Sequence, residues 1–371
     1  MTSYRLSVKA LLALFFLCTF GEAQAQRQEK LDKARTILQS LIESNEYVGL
    51  SAAIAYKGEI ILAEGFGFKN IENKQKPDSE TLFRIYSITK TLAGILAMKL
   101  VDEGKLDLEQ SIAKVIPELP EHLHQITPKD LLAHLSGIRH YNGWDEWNAI
   151  SQDECRSPME ALDVFINDPL LFNPGEKVEY TSYGYVLLSA VLEKAGGKPF
   201  TQLMQEKLFN PSNAKRIFLD NKDGLNRDNI STFYDVEDGK VSITRLVNNS
   251  CKFGGGGYNA SAEAVAKVLL AYMEKSLFSE RTYQFSLEQA KPDDGSMIYT
   301  AHLGIGANTI NGLRSAVSNG AGPGGRSTIY MFPDDEIAVV LIGNSMGKKL
   351  RAEAQMVAEL FQQNKPEEEI E

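Results

Sequence analysis

Short apolar runs of strand-like composition stand in pairs near both ends of this chain, and mostly helix-patterned sequence fills the distance between them. Near the N-terminus, residues 48–56 and 59–66 meet at Lys57-Gly58, which reads as a hairpin. Towards the C-terminus lie further runs at 302–308, 313–319, 327–332 and 337–342, the last two joined by the turn Pro333-Asp334-Asp335 as a second hairpin. Residues 31–42 carry Leu31, Ala34, Leu38 and Leu41 on one helical stripe, and 348–362 place Met356, Val357, Leu360 and Phe361 in a final helix. Helices are predicted over 89–101, stopping at Gly104, and over 128–135, 158–166, 185–195 and 262–273. Thr127-Pro128 and Gly196-Gly197 are start and stop signals for two of them. The pattern predicts an α+β fold: an antiparallel sheet flanked by N- and C-terminal helices, an inserted mostly helical subdomain, and an active site in the cleft between them. The expected boundaries are one discontinuous α/β unit, 26–95 with 275–363, around a helical unit at 96–274. No internal repeat is present.

Arg5 and Lys9 precede the apolar run ALLALFFLCTF (10–20), which is too short to span a bilayer, and Ala23-Gln24-Ala25 supplies a small-x-small cleavage site. Residues 1–25 are therefore expected to be a signal peptide rather than a retained anchor, and bulky Leu17 argues against a lipid on Cys18. No later segment reaches spanning length, so the expected product is exported, periplasmic or secreted, with no membrane partner after cleavage. Loss of 25 of the 371 residues leaves 346, beyond the size at which one core stops growing. The net charge of −10, about −11 without Arg5, Lys9 and Glu22, argues against nucleic acid or anionic lipid as a partner. The acidic end, 364–371, reads as a solvated tail. Cys155 and Cys251 lie too far apart in sequence to show a disulfide framework, so unpaired thiols are the favoured reading although export would permit a bridge. Neither has zinc-site spacing, and His122 and His124 read as surface histidines rather than a metal pair. The sequence carries no signal for an oligomeric state.

Chemistry concentrates at Ser87-Ile88-Thr89-Lys90. A serine and a lysine three residues apart share a helix face, where the amine can take the hydroxyl proton and activate a weak nucleophile. The spacing alone is unspecific, because it recurs at Ser111/Lys114, Ser212/Lys215 and Ser345/Lys348. Ser87 differs in standing at the start of a long apolar helix, whose positive end favours a developing oxyanion and a neutral lysine. A simple N-cap remains the alternative. An ordinary lysine, pKa near 10.4, is a poor base and needs burial or a partner. Tyr180, in Tyr180-Thr181-Ser182 after Asn173-Pro174-Gly175, offers a phenol to relay the proton, although taken alone such a tyrosine more often serves packing.

Several ordered segments carry a family resemblance. Leu82-Phe83-Arg84-Ile85-Tyr86-Ser87-Ile88-Thr89-Lys90 resembles the nucleophile segment of the serine β-lactamase and penicillin-binding-protein superfamily. The likeness is greatest to its class C β-lactamase-like, D-alanyl-D-alanine carboxypeptidase and esterase branch. Asp102-Glu103-Gly104-Lys105-Leu106-Asp107-Leu108, the segment ITPKDLLAHLSG (126–137), Tyr180-Thr181-Ser182-Tyr183-Gly184-Tyr185, Gly255-Gly256-Gly257 and Leu303-Gly304-Ile305-Gly306 are similar in kind and order. The resemblance spans 48–344. It implies a β-lactamase/transpeptidase-like fold, Ser87 as acylated nucleophile, Lys90 and Tyr180 as the proton-handling pair, and an oxyanion hole from the backbone N–H groups of Ser87 and Ala321. It implies no metal or cofactor.

Two departures bear on substrate. The tyrosine motif usually ends in asparagine, where this chain has Ser182; a hydroxyl is shorter but still donates and accepts. The third motif aligns to Ser318-Asn319-Gly320, with serine in place of the lysine or histidine that would attract a substrate carboxylate. Ser182, Ser318, Asn319 and Gly320 are thus the expected substrate-binding residues. Arg326 offers a replacement cation, though a plain strand-surface arginine is the favoured reading. Gly320-Ala321-Gly322-Pro323-Gly324-Gly325 fits a dinucleotide fingerprint but contains proline and leads into a strand, which argues against a cofactor. No G-x-S-x-G or H-E-x-x-H occurs in the chain. Tyr141, Trp144 and Trp147 suggest an aromatic wall at the cleft mouth, with a local packing cluster the favoured alternative. The expected function is an exported serine hydrolase acting on a small ester, amide or peptide through an acyl-enzyme. The alternatives are a penicillin-binding D-alanyl-D-alanine carboxypeptidase or weak β-lactamase, and a non-catalytic scaffold that kept the fold.

Overall fold

The hairpins from the two ends of the chain pair with each other. In the computed structural model, which describes residues 24–221, 227–237, 239–290, 292–293, 305, 308–310 and 313–362, the strands in chain order are β1 (Gly49–Tyr56), β2 (Glu59–Gly67), β3 (Phe83–Arg84), β4 (Ile217–Leu219), β5 (Tyr234–Glu237), β6 (Lys240–Ile243), β7 (Tyr258–Ala260), β8 (Asn308–Ile310), β9 (Leu313–Gly322), β10 (Gly325–Phe332) and β11 (Ile337–Gly343). The helices are α1 (24–43), α2 (Ile88–Asp102), α3 (Pro128–Leu132), α4 (Gly143–Ile150), α5 (Ser182–Gly196), α6 (Phe200–Met204), α7 (Ala262–Met273), α8 (Glu280–Ser286) and α9 (Arg351–Glu359). The six-stranded sheet runs β2-β1-β11-β10-β9-β8. Its seam is the antiparallel pairing of β1 with β11, from Leu50 opposite Gly343 to Tyr56 opposite Ile337. Lys57 and Gly58 both take positive φ, 47° and 81°, the turn geometry whose twist matches a two-residue hairpin.

Side-chain alternation along β1 and β11 feeds two cores. Leu50, Ala52, Ile54, Ile337, Val339 and Leu341 pack with Leu31, Ala34, Leu38 and Leu41 of α1 and with Ala354, Val357 and Ala358 of α9. Ala53, Ala55, Ala338, Val340 and Ile342 face the other way, into a larger core with α2, α5 and α7. Because both faces are covered, β1 and β11 read as continuous apolar runs rather than alternating ones. Helix α2 lies deep in that larger core, buried around nearly its whole circumference.

The structure differs from the sequence expectations in several elements. Residues 158–166 make only a 3₁₀ turn, Glu160–Val164. Helix α3 stops at Leu132, because Ala133 leaves helical geometry and His134 turns to φ 61°. Helix α4, the β5-β6 hairpin, and strands β4 and β7, which form a three-stranded sheet with β3 of the N-terminal stretch, fall within 96–274 and lie outside the sequence expectations. The favoured reading of free thiols is corrected: Cys155 and Cys251 form a disulfide that ties the segment after α4 to the turn Ser250–Gly255. The expected signal peptide up to residue 23, nearly all of the 302–308 run, three residues of Leu303-Gly304-Ile305-Gly306 and the acidic tail lie outside the described residues. Among the described residues no helix is long and apolar enough to cross a membrane.

Candidate active site

The turn into α2 is strained, and several contacts hold it. Tyr86 takes φ 45°, unusual for a bulky side chain, and its hydroxyl donates to the carbonyl of Pro323 in the β9–β10 turn. Ser87 occupies the N-cap position but its side chain makes no capping hydrogen bond. Its Oγ instead lies 2.6 Å from Tyr180 Oη and 3.3 Å from Lys90 Nζ. The capping alternative is thereby removed. The other three serines do structural work or sit apart from a buried amine. Ser111 caps a 3₁₀ turn, Ser345 accepts from the Val48 N–H, and Lys114, Lys215 and Lys348 are all exposed.

Lys90 is 5 % exposed, and its amine meets three oxygens: Ser87 Oγ, Ser182 Oγ at 3.0 Å and the Gly255 carbonyl at 2.5 Å. Burial pushes its pKa below the ordinary lysine value, with Tyr180 opposing. The Tyr180 ring lies 4.8 Å from Nζ. Burial raises the Tyr180 phenol, but the Lys90 charge and hydrogen bonds from Lys90, Ser87 and Ser182 outweigh it, so its pKa falls below that of a free tyrosine. Two groups this close titrate as a pair. The direction that follows from burial is a lysine that gives up its proton more easily than in water.

Tyr180 precedes α5, where Thr181 is the N-cap, its hydroxyl accepting from the Gly184 N–H. The Thr181 N–H donates to His134 Nδ1 and the Ser182 N–H to His140 Nδ1. The phenol ring is further wedged between these imidazoles, at centroid distances of 4.7 Å and 5.4 Å. Sequence reasoning quoted His134, Tyr86 and Gly255 only within resembling segments, with no role of their own, and gave His140 none. No residue pattern signals an imidazole that accepts from a peptide N–H.

Among the described residues, β8 pairs with β9 as far as Ser315, and further along β9 Gly320 lies beside Ser87. A Cβ on Gly320 would lie 2.4 Å from the Ile85 carbonyl oxygen and 3.0 Å from the Ser87 nitrogen, so only glycine lets the strand approach the nucleophile. Ala321 is exposed on this edge. Ser318 is half-buried and, among the described residues, makes no hydrogen bond to Ser87, Lys90 or Tyr180. Asn319 accepts from the Thr328 hydroxyl on β10. Arg326 pairs in register with Ala321 and lines a cavity of about 280 Å³ with Asn319, Thr328, Lys349 and Arg351. The glycine-rich stretch 320–325 is a β-hairpin turn.

Behind the site, Arg84 and Asp220 form an ion pair at 3.1 Å with both side chains 1 % exposed. Asn249 and Asn259 donate to the same carboxylate, and Arg84 also donates to the carbonyls of Pro323 and Val247. These bonds fix the nucleophile strand to the third-motif turn. Trp147 is buried against Tyr86 and Val247, over the buried amine of Lys252, so it belongs to a packing cluster; Trp144 stays 58 % exposed.

The sheet covered by α1 and α9 thus carries, where the helical layer meets β9, the serine, buried lysine and tyrosine of a β-lactamase-like fold. The chain belongs to the Beta-lactamase family, whose sequence profile matches residues 34–362. It is 24 % identical over 345 residues to the bovine (Bos taurus) "Serine beta-lactamase-like protein LACTB, mitochondrial", covering 73 % of this chain but 62 % of that relative. The fold superposes on an octameric penicillin-binding protein homologue from Pyrococcus abyssi with TM-score 0.76 and 24 % identity, over 91 % of this chain and 79 % of that one. It also superposes on EstCE1, a hydrolase with promiscuous acyltransferase activity, with TM-score 0.75 and 18 % identity, over 91 % and 99 % of the two chains.

Proposed function

We propose that this chain is an exported serine hydrolase that acylates Ser87 and turns over a small ester, or a small amide or peptide. The observation that carries the reading is the placement of Ser87 Oγ within hydrogen-bonding reach of both Tyr180 Oη and Lys90 Nζ, with the lysine buried. A neutral Lys90 donates two N–H bonds, to Gly255 and Ser182, and keeps its lone pair for the Ser87 proton. Ser87 Oγ then attacks the substrate carbonyl. The N–H groups of Ser87 and Ala321 stabilise the oxyanion, and as the carbonyl re-forms Tyr180 gives its phenol proton to the leaving group and is reprotonated by Lys90. Water repeats the sequence on the acyl-enzyme and releases the acid. The absence of a lysine or histidine at Ser318 supports an ester or neutral amide over a β-lactam carboxylate. The apolar leader and the Cys155–Cys251 bridge support an exporting, oxidising setting.

The test is steady-state turnover of p-nitrophenyl acetate, a D-amino-acid amide and a penicillin by the wild type and Ser87→Ala. Ester turnover lost in Ser87→Ala is the expected result. A penicillin adduct that persists without ester turnover would mark a slow acylator, and no reaction with any substrate would mark a scaffold.

A further inference from the structure

The peptide N–H groups at the start of a helix have no intrahelical partner. At α5 two successive ones, from Thr181 and Ser182, end on imidazole nitrogens, at 3.2 Å on His134 Nδ1 and 3.1 Å on His140 Nδ1. A nitrogen that accepts keeps its lone pair, so each ring is neutral and carries its proton on Nε2. His134 is buried in the core, whereas His140 is half-buried at the site. Its ring stands edge-on to Tyr180 at 5.4 Å and lies against Tyr141 at 4.4 Å. Burial and the Lys90 charge push its pKa down to about 4, against the pull of Glu146.

We propose that His140 is a positioning residue for the Ser87 chemistry: its neutral Nδ1 fixes the Ser182 amide and, through that backbone, the Tyr180 phenol. Ser182 is the joint of the arrangement. Its backbone is held by His140 and its hydroxyl accepts from Lys90 Nζ, so a shift of Ser182 moves the partner of the amine and, two residues earlier, the phenol. An imidazolium at this place would turn the acceptor into a donor facing the Ser182 N–H and set a positive charge beside the amine that has to take up the Ser87 proton. Ser318 supplies no imidazole to Tyr180; the rings that flank it come from His134 and His140.

The inference rests on the acyl-enzyme reading, and its test separates the two. kcat and KM for p-nitrophenyl acetate are measured across pH for the wild type, His140→Phe and His140→Asn, with folding checked by circular dichroism. The asparagine oxygen can take the place of Nδ1, whereas phenylalanine keeps a ring without an acceptor. For His140→Phe we expect kcat to fall about 100-fold with KM changed less than about threefold. The acid limb of kcat/KM should move to higher pH, because a loosened Lys90 regains water and its ordinary basicity. His140→Asn should restore most of both. Should His140→Phe not fold, ¹⁵N NMR of the wild-type imidazole at pH 7 decides: the Nε2–H tautomer is expected, and an Nδ1–H tautomer or an imidazolium overturns the proposal. Wild-type kcat and an unmoved limb in His140→Phe overturn it too. A wild type that turns over neither p-nitrophenyl acetate nor a D-amino-acid amide and takes no penicillin adduct sinks the acyl-enzyme reading, and the positioning role falls with it.

Discussion

Lys90 shows how one buried residue changes what a common motif can do. Four serine–lysine pairs share the same spacing, but one lysine alone among them lies in the interior. Replacement by methionine keeps the bulk and removes the base, so kcat/KM should drop by about 10²- to 10⁴-fold while the fold persists. The pH dependence carries a sign. Lys90 must be neutral to act and burial lowers its pKa, so activity should rise with pH along a limb centred below the ordinary lysine value. A pH–rate profile with its limb at the free-lysine pKa would contradict this. Gly320 makes a second point at the same scale. Gly320→Ala would press a methyl group against the Ile85 carbonyl and Ser87 nitrogen, and overpacking of this kind costs roughly 1–3 kcal/mol and shifts the nucleophile. Urea unfolding and kcat together would show both effects.

At the scale of elements, local signals were legible and distant pairings were not. Helix α7 matches its expected bounds because Ser261 caps it and its apolar positions recur at helical spacing. The serine–lysine pair was legible for the same reason, as both residues lie on one turn of α2. Helix α4 buries only Trp147 and Ile150 of its eight residues, too weak a stripe to read. Strands β3, β7 and β4 have two or three residues each and find partners far away in sequence, Phe83 opposite Ala260 and Ile217 opposite the same residue. What positions them is the Arg84–Asp220 pair, which no local pattern reveals. Arg84→Met leaves the Asp220 carboxylate buried with only the two asparagine amides, and should cost about 3–5 kcal/mol in urea unfolding. A loss below about 1 kcal/mol would show that those amides alone satisfy the carboxylate.

At the scale of the whole molecule, the sheet separates two cores, and the chemistry belongs to one of them. The face covered by α1 and α9 holds β1 and β11 in register; the opposite face carries α2 and with it Ser87. Val357 and Met356 are neighbours on α9 with opposite fates, Val357 fully buried and Met356 51 % exposed. Val357→Asp should destabilise by more than about 3 kcal/mol, and Met356→Asp by less than about 0.5 kcal/mol. Equal effects in urea titration would mean that α9 does not seal the sheet. The end hairpins and flanking helices were legible from periodicity, whereas the disulfide was not, since Cys155 and Cys251 are joined by folding across a separation of 96 residues. The central claim is that a carbonyl-like electrophile is captured by Ser87 with help from Lys90 and Tyr180. Intact-mass measurement after brief fluorophosphonate treatment tests it most directly. One adduct on the wild type, none on Ser87→Ala, and slowed labelling in Lys90→Met and Tyr180→Phe are predicted; an unlabelled wild type, or a Ser87→Ala variant that still takes the adduct, would contradict it.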